Sequence, residues 1–151
     1  MKLRRSIRGN QQGVAAIEMA FALPILILMI WMFVQLAEVY RAVAGIQQGL
    51  GEGARYATLC LNPTATGCTI PSGKDVSDQI KAAVYGIGPG TFTVNPNAAG
   101  VEQTPVLQTD ALNGGKYYDL TVSYKQSTSL LLVPGPNISV TKSKRVWVAT
   151  S

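Results

Sequence analysis

Few side chains in this sequence are able to do acid–base or nucleophilic chemistry. The 151 residues include 8 Asp plus Glu, two cysteines and no histidine. Without histidine, the usual general base for a serine or cysteine nucleophile is missing, and two thiols are too few ligands for structural zinc. A paired-carboxylate site is the remaining alternative, but Asp75 and Asp78 are better explained as charges near a helix start. The sequence therefore predicts no catalytic residue, no metal and no cofactor.

The two cysteines, Cys60 and Cys68, enclose a short polar segment. Two cysteines around such a segment, just beyond an apolar run, indicate a disulfide in an oxidising compartment. In the loop-entropy model, closing this loop stabilises the fold by roughly 2–3 kcal/mol. The alternative is two free thiols.

The most unusual chemical group is the carboxylate of Glu18, which stands near the start of a long apolar run. The eighteen residues from Met19 to Leu36 carry no charge and are interrupted only by Pro24 and Gln35. As a helix, Val14 to Leu36 spans roughly 34 Å, enough to cross a bilayer core of about 30 Å. An ionisable group at that depth is costly and marks a functional site by default.

The segment ahead of the apolar run is basic. It contains Lys2, Arg4, Arg5 and Arg8 and no acidic residue, so the positive-inside rule places the N-terminus in the cytoplasm. The net charge of the chain is +5, and four of those charges precede Gly13, which leaves about +1 for the rest. Because a nucleic-acid-binding face needs clustered Lys and Arg, no nucleic-acid partner is expected.

The residues around Glu18 resemble a known family. Gly13-Val14-Ala15-Ala16-Ile17-Glu18 looks like the cleavage site of type IV prepilins, and its continuation to Leu23-Pro24 resembles TadE-like pseudopilins of tight-adherence (Tad/Flp) pili. A second piece, Gly51-Glu52-Gly53-Ala54-Arg55-Tyr56-Ala57, is similar to that family's helix end. The resemblance covers about the first 58 residues. Met19 stands where the major Flp pilin has tyrosine, which favours a minor subunit.

The resemblance implies that a prepilin peptidase cuts between Gly13 and Val14, which makes the chain a substrate rather than a catalyst. It also implies an inner-membrane assembly platform and other major and minor pilins as partners, with membrane lipid around the span. After cleavage, Glu18 would pair with the new N-terminal amine of an adjacent subunit and set the register of a pilus. The alternative is a carboxylate solvated at the cytoplasmic interface.

The apolar run is predicted to continue as one helix over residues 14–58, with the transmembrane part at about 14–36. Beyond the membrane, an apolar stripe recurs at intervals of three and four: Val39, Val43, Ile46, Leu50, Ala54 and Ala57. Gly45, Gly49 and Gly53 form two overlapping small-xxx-small spacings, which allow close helix approach. The alternative for these glycines is a weakened, bending helix.

Residues 59–151 are predicted to form a small extracytoplasmic domain. A loop with the two cysteines leads to a helix at about 74–85, for which Ser72 is a plausible N-cap. Strands are predicted at Thr91–Val94, Glu102–Thr109, Lys116–Lys125 and Ile138–Thr150, with a turn at Asn113-Gly114-Gly115 pairing the second and third. The fold class is therefore α+β, a long N-terminal helix on a small antiparallel sheet with one further helix, which is also the pilin-like architecture that the resemblance implies.

Three functional interpretations follow. The first is a cleaved pseudopilin in the inner membrane, with its domain periplasmic or extracellular and a role in pilus assembly and surface attachment. The second is an uncleaved single-pass protein whose outer domain binds another envelope component, and an intact leader of residues 1–13 would identify it. The third is a secreted protein cleaved at the A-x-A motif Ala42-Val43-Ala44, although the apolar run is longer than a signal-peptide h-region.

Overall fold

A computed structural model describes residues 11–60, 68–84, 86–129 and 134–149. Its main element is one continuous helix, α1, over Gln11–Ala57, which has 47 residues and Pro24 inside it. At about 1.5 Å per residue it is roughly 70 Å long. The helix begins three residues before the predicted start and ends within one residue of the predicted end. Of the predicted leader, residues 1–13, only residues 11–13 are described, and residues 1–10 with its four basic side chains lie outside the described part.

The N-terminal half of α1 is not covered by the rest of the fold. Its best 18-residue window has a mean hydropathy of 2.4 and is 0% buried. Large apolar side chains along it are exposed, among them Phe21 at 72% and Phe33 at 64%. Bare apolar surface of this extent is unfavourable in water, and by length and composition this half is a candidate single membrane span.

The C-terminal half of α1 packs against a second helix, α2, over Gly73–Val84. Ser72 caps α2, because its hydroxyl accepts a hydrogen bond from the Asp75 N–H at 3.3 Å and donates one to the Asp75 carboxylate at 2.7 Å. Val76, Ile80 and Val84 form the buried face of α2. The predicted N-cap and apolar face of this helix are confirmed.

Four strands make one antiparallel sheet: β1 (Thr91–Val94), β2 (Leu107–Thr109), β3 (Lys116–Ser129) and β4 (Pro134–Val148). The long strand β3 is central, with β1 and β2 along one side of it and β4 along the other. The register pairs Phe92 with Tyr124 and Leu107 with Tyr118. The predicted pairing of the second and third strands through the Asn113-Gly114-Gly115 turn is therefore confirmed, and Gly114 has a φ of +69° there.

The core lies between the C-terminal half of α1, α2 and one face of β3. Its buried members come from both helices and from strands β1, β3 and β4: Ala42, Ile46, Leu50, Ala54, Ala57, Val76, Ile80, Val94, Tyr118, Leu120, Val122, Tyr124, Val146 and Val148. We call this assembly, including α1 from residue 37, the outer domain. The long helix, the further helix and the small antiparallel sheet together are an α+β fold, as predicted.

Several strand boundaries differ from the sequence prediction, among them the end of β4, which is Val148 rather than Thr150. β2 begins at Leu107 rather than Glu102, because Glu102 makes an isolated bridge with Pro96 and Pro105 interrupts the ladder. β3 extends to Ser129, beyond the predicted end at Lys125, and β4 begins at Pro134, before the predicted start at Ile138. Proline is tolerated there because β4 is an edge strand, where a missing N–H breaks no ladder bond on the open side. Residues 130–133 lie outside the described part.

Candidate functional site

The predicted processing site lies in the first turn of α1. Gly13 is the third residue of this helix, and a Cβ built on it would meet nothing within 4 Å. Val14 is 58% exposed.

Glu18 is an exposed carboxylate on the bare half of α1. Within the described part of the chain, it takes part in no hydrogen bond or ion pair. Val14 is four residues earlier, so its backbone nitrogen lies on the same helix face, about 6 Å along the axis. The geometry therefore places the predicted cleavage point and the carboxylate one helical turn apart.

The glycines at 45, 49 and 53 are all buried and face the α2 side of the fold. A Cβ on Gly49 would lie 2.8 Å from Val84 Cγ1, and one on Gly53 would lie 2.8 Å from Ile80 Cδ1. A Cβ on Gly45 would collide with the Ile87 side chain just after α2. In this chain the small residues allow α2 and Ile87, three residues beyond it, to approach α1 closely within one molecule.

A second group of polar contacts joins the span to the sheet, and sequence analysis did not predict it. The indole N–H of Trp31 donates to the carbonyl oxygen of Ser129 at 2.8 Å, and the Gln35 side-chain amide donates to the same oxygen. Gln35 was visible in the sequence as a polar interruption of the apolar run. Nothing in the sequence, however, indicates which backbone group it binds.

One turn further along α1, Glu38 continues this polar junction. The Gln126 side-chain amide donates to Glu38 Oε2 at 3.3 Å, and the Tyr124 hydroxyl donates to Gln126 Oε1 at 2.7 Å. The Gly90 N–H in turn donates to the Tyr124 hydroxyl at 3.0 Å. Burial is the main cause that raises the pKa of Tyr124; the charge of Glu38 adds to it and the Gly90 N–H opposes it. This chain of bonds fixes the sheet to α1 beside the span.

Cys60 and Cys68 form a disulfide, with their Cα atoms 5.6 Å apart. Cys60 is buried and follows the end of α1 by three residues. The bond therefore ties the end of the long helix to the segment that enters α2. The predicted pairing of the two cysteines agrees with this geometry.

The outer face of the sheet carries an exposed cluster of aromatic and charged side chains. Arg145 makes two hydrogen bonds to the Asp119 carboxylate, at 2.8 and 3.0 Å, which raise the pKa of Arg145. Its guanidinium also lies 4.2 Å from the centroid of the Tyr117 ring, and that ring is 5.1 Å from the ring of Trp147. Trp147 is 48% exposed. We call these four residues the outer cluster.

The described residues contain no group of three or more Asp, Glu, Cys or His that would hold a metal ion. Several of the described carboxylates take part in surface ion pairs, such as the Lys74–Asp78 pair at 2.6 Å and the Lys81–Glu102 pair. The features that α1 offers for function are therefore charged groups, hydrogen-bonding groups and apolar surface.

Searches of protein-family models, curated proteins and solved structures found no match to this chain.

Proposed function

We propose that this chain is a minor pilin or pseudopilin of a Tad/Flp-type pilus, cut by a prepilin peptidase between Gly13 and Val14. One observation carries the proposal. Glu18, the fifth residue after Gly13, is an exposed carboxylate on a bare apolar span that continues without a break as the spine of the outer domain. Such a span has to be covered by lipid before assembly and by other subunits afterwards.

The proposed orientation places the basic N-terminal segment in the cytoplasm and the outer domain on the opposite side of the inner membrane. The disulfide between Cys60 and Cys68 supports this orientation, since such bonds persist in oxidising compartments. Peptidase cleavage removes the four leader charges and leaves an ammonium group on Val14. The mature span then has one positive and one negative group, one helical turn apart.

The unpaired carboxylate gives the assembly step its specificity. Glu18 lies in the apolar span without a partner in the described part of its own chain, so leaving it charged in lipid is costly. The Val14 ammonium of an adjacent subunit is the proposed partner, and the attraction is strong in a medium of low dielectric. Pairing sets the register of a subunit that an inner-membrane platform lifts out of lipid and into contact with other pilins.

Substitution Glu18→Ala tests this role. We expect the variant to be cleaved normally and to remain in the membrane, because neither step needs the carboxylate, and we expect it to be absent from sheared pili. The measurement is immunoblotting of membrane and sheared-filament fractions in cells that carry the peptidase and the assembly platform.

The matched control is Glu52→Ala, which removes a carboxylate from the outer half of the same helix. Glu52 is exposed and pairs with Arg55 at 3.4 Å, an interaction worth at most about 1 kcal/mol at a surface. This variant should enter pili as the parent does. Normal incorporation of Glu18→Ala would refute the pairing role.

A second candidate function is that of an uncleaved single-pass protein whose outer domain binds another envelope component. The outer cluster favours it, because exposed aromatic rings next to an arginine are typical of protein-binding surfaces. In that case the leader would stay intact, and Trp147→Ala would abolish partner capture without changing the position of the chain in the membrane. A cleaved leader would exclude this second function.

A further inference from the structure

A cleft of about 390 Å³ lies where the outer domain meets the span. One wall belongs to α1 and the other to the facing ends of β3 and β4, and its lining is almost wholly apolar: Met29, Met32, Phe33, Gln35, Leu36, Thr128, Pro136 and Ile138. We propose that this cleft holds an acyl chain of a membrane phospholipid, so that the ends of β3 and β4 lie in the outer leaflet.

The depth of the cleft follows from its α1 wall. Met29, Met32, Phe33 and Leu36 belong to the apolar run that is long enough to cross a bilayer. The carbonyl oxygen of Ser129, at the end of β3, accepts hydrogen bonds from Trp31 and Gln35. Trp31 lies five residues before the last residue of the apolar run, and Gln35 lies one residue before it. At about 1.5 Å per residue, this places the Ser129 carbonyl roughly 2–8 Å inside the end of the run.

The course of β3 agrees with this depth. Leu120 lies beside Gly53, Gln126 is bonded to Glu38, and Ser129 is bonded to Trp31. With increasing residue number, β3 therefore runs along α1 towards the span. By sequence, the connection from Ser129 to Pro134 consists of three leucines and a valine, without a polar side chain.

Two polar groups near the cleft have partners within the chain. The Ser129 carbonyl accepts from Trp31 and Gln35, and the Thr128 hydroxyl donates to the Pro136 carbonyl at 2.7 Å. Backbone groups in lipid must be satisfied internally, since no water is present there. These bonds satisfy the Ser129 carbonyl and the Thr128 hydroxyl beside the cleft, and they give Gln35 a structural reason to interrupt the apolar run.

An acyl chain suits the cleft better than a polar ligand. None of the described residues that line it is charged, and its α1 wall is continuous with the exposed apolar surface of the span. The lipid that surrounds the span therefore reaches the cleft without crossing a polar barrier. The outer domain is consequently seated on the membrane at two places, the helix itself and the ends of β3 and β4.

Photocrosslinking of the full chain tests the proposal. The protein is placed in vesicles of phosphatidylethanolamine and phosphatidylglycerol, with a benzophenone-bearing phenylalanine in place of Ile138 or, in a second variant, of Pro136. We expect illumination to add the mass of one phospholipid to the β4 peptide, with attachment within an acyl chain, as read by mass spectrometry.

Two control positions make the result decisive. The probe at Phe21, on the bare span, should acquire phospholipid and so verifies insertion. The probe at Lys144 is exposed on the same strand, about 20 Å further along from Ile138, and should acquire none. If Phe21 is labelled and neither Ile138 nor Pro136 is, the proposal is wrong. A crosslink from position 138 to a second protein chain instead of lipid would also overturn it.

Discussion

Two polar side chains in the apolar run of α1 have different roles. Gln35 donates to the Ser129 carbonyl, so its amide is part of the fold. Glu18 is exposed and has no hydrogen-bond or ion-pair partner in the part of the chain that the structure describes. A polar group in a membrane span needs a partner, and for Glu18 we propose the amine of another subunit. The fold therefore explains the Gln35 amide, whereas the described part of the fold does not explain the Glu18 carboxylate.

The buried tyrosines give the outer domain a pH limit on the alkaline side. Burial, with a smaller effect of the Asp75 charge, raises the pKa of Tyr118, whose hydroxyl donates to the Pro71 carbonyl at 2.9 Å. A raised pKa in the folded state means that the unfolded tyrosine loses its proton first, near pH 10. This contribution to stability is present below about pH 10 and is lost as the pH rises through the folded-state pKa.

Tyr118→Phe should therefore flatten the dependence of the unfolding free energy on pH above about pH 10, at a cost of about 0.5–1.5 kcal/mol at neutral pH for the lost hydrogen bond. Chemical denaturation of the full chain in detergent micelles at several pH values measures both effects. Tyr40→Phe, which changes a ring that is 68% exposed, serves as the control and should keep the slope of the parent. An unchanged slope for Tyr118→Phe would contradict this account.

At the scale of elements, the contact between α1 and α2 depends on the absence of side chains. Gly49 and Gly53 lie under Val84 and Ile80, close enough that a Cβ would not fit without movement. Ile80 is fully buried and Val84 is 5% exposed, so both side chains belong to the packed interior. The cost of glycine in a helix interior, about 1 kcal/mol relative to alanine, is offset here by closer packing.

Two alanine substitutions on α1 separate packing from helix propensity. Gly49→Ala puts a Cβ 2.8 Å from Val84 Cγ1 and should destabilise the outer domain, since overpacking costs about 1–3 kcal/mol. Gly51→Ala meets nothing within 4 Å and should stabilise it by up to about 1 kcal/mol. Denaturant unfolding in micelles gives both values. Equal effects of the same sign would show that the glycines act through helix flexibility instead.

Whether the sequence predicts an element depends on how far apart in the chain the interacting residues are. The helices, the Ser72 cap and strand β1 follow from local periodicity and turn residues, and their predicted positions are confirmed within a few residues. The limits of β3 and β4 depend on pairing between distant strands, which extends both of them beyond their apolar alternation. The junction of Trp31 and Gln35 with Ser129 joins residues more than 90 positions apart, so no local pattern indicates it.

In the molecule as a whole, the two halves of α1 have different surroundings. Its C-terminal half is the spine of a domain with a buried core, while its N-terminal half is left bare. Glu18 lies 24 residues before Ala42, the first fully buried core residue, which is about 36 Å along the axis. We therefore expect that the proposed cleavage would change the charge of this half of α1 without disturbing the fold of the outer domain.

The central claim is that the chain is processed at Gly13, and the intact mass and N-terminal sequence of the protein from its native membrane test it most directly. The account predicts a chain that starts at Val14, with the basic segment of residues 1–13 removed and Glu18 as the fifth residue. A cell lacking the prepilin peptidase should yield the uncut chain. A protein that still begins at Met1 in cells with the peptidase would contradict the account and leave the uncleaved binding protein as the better interpretation.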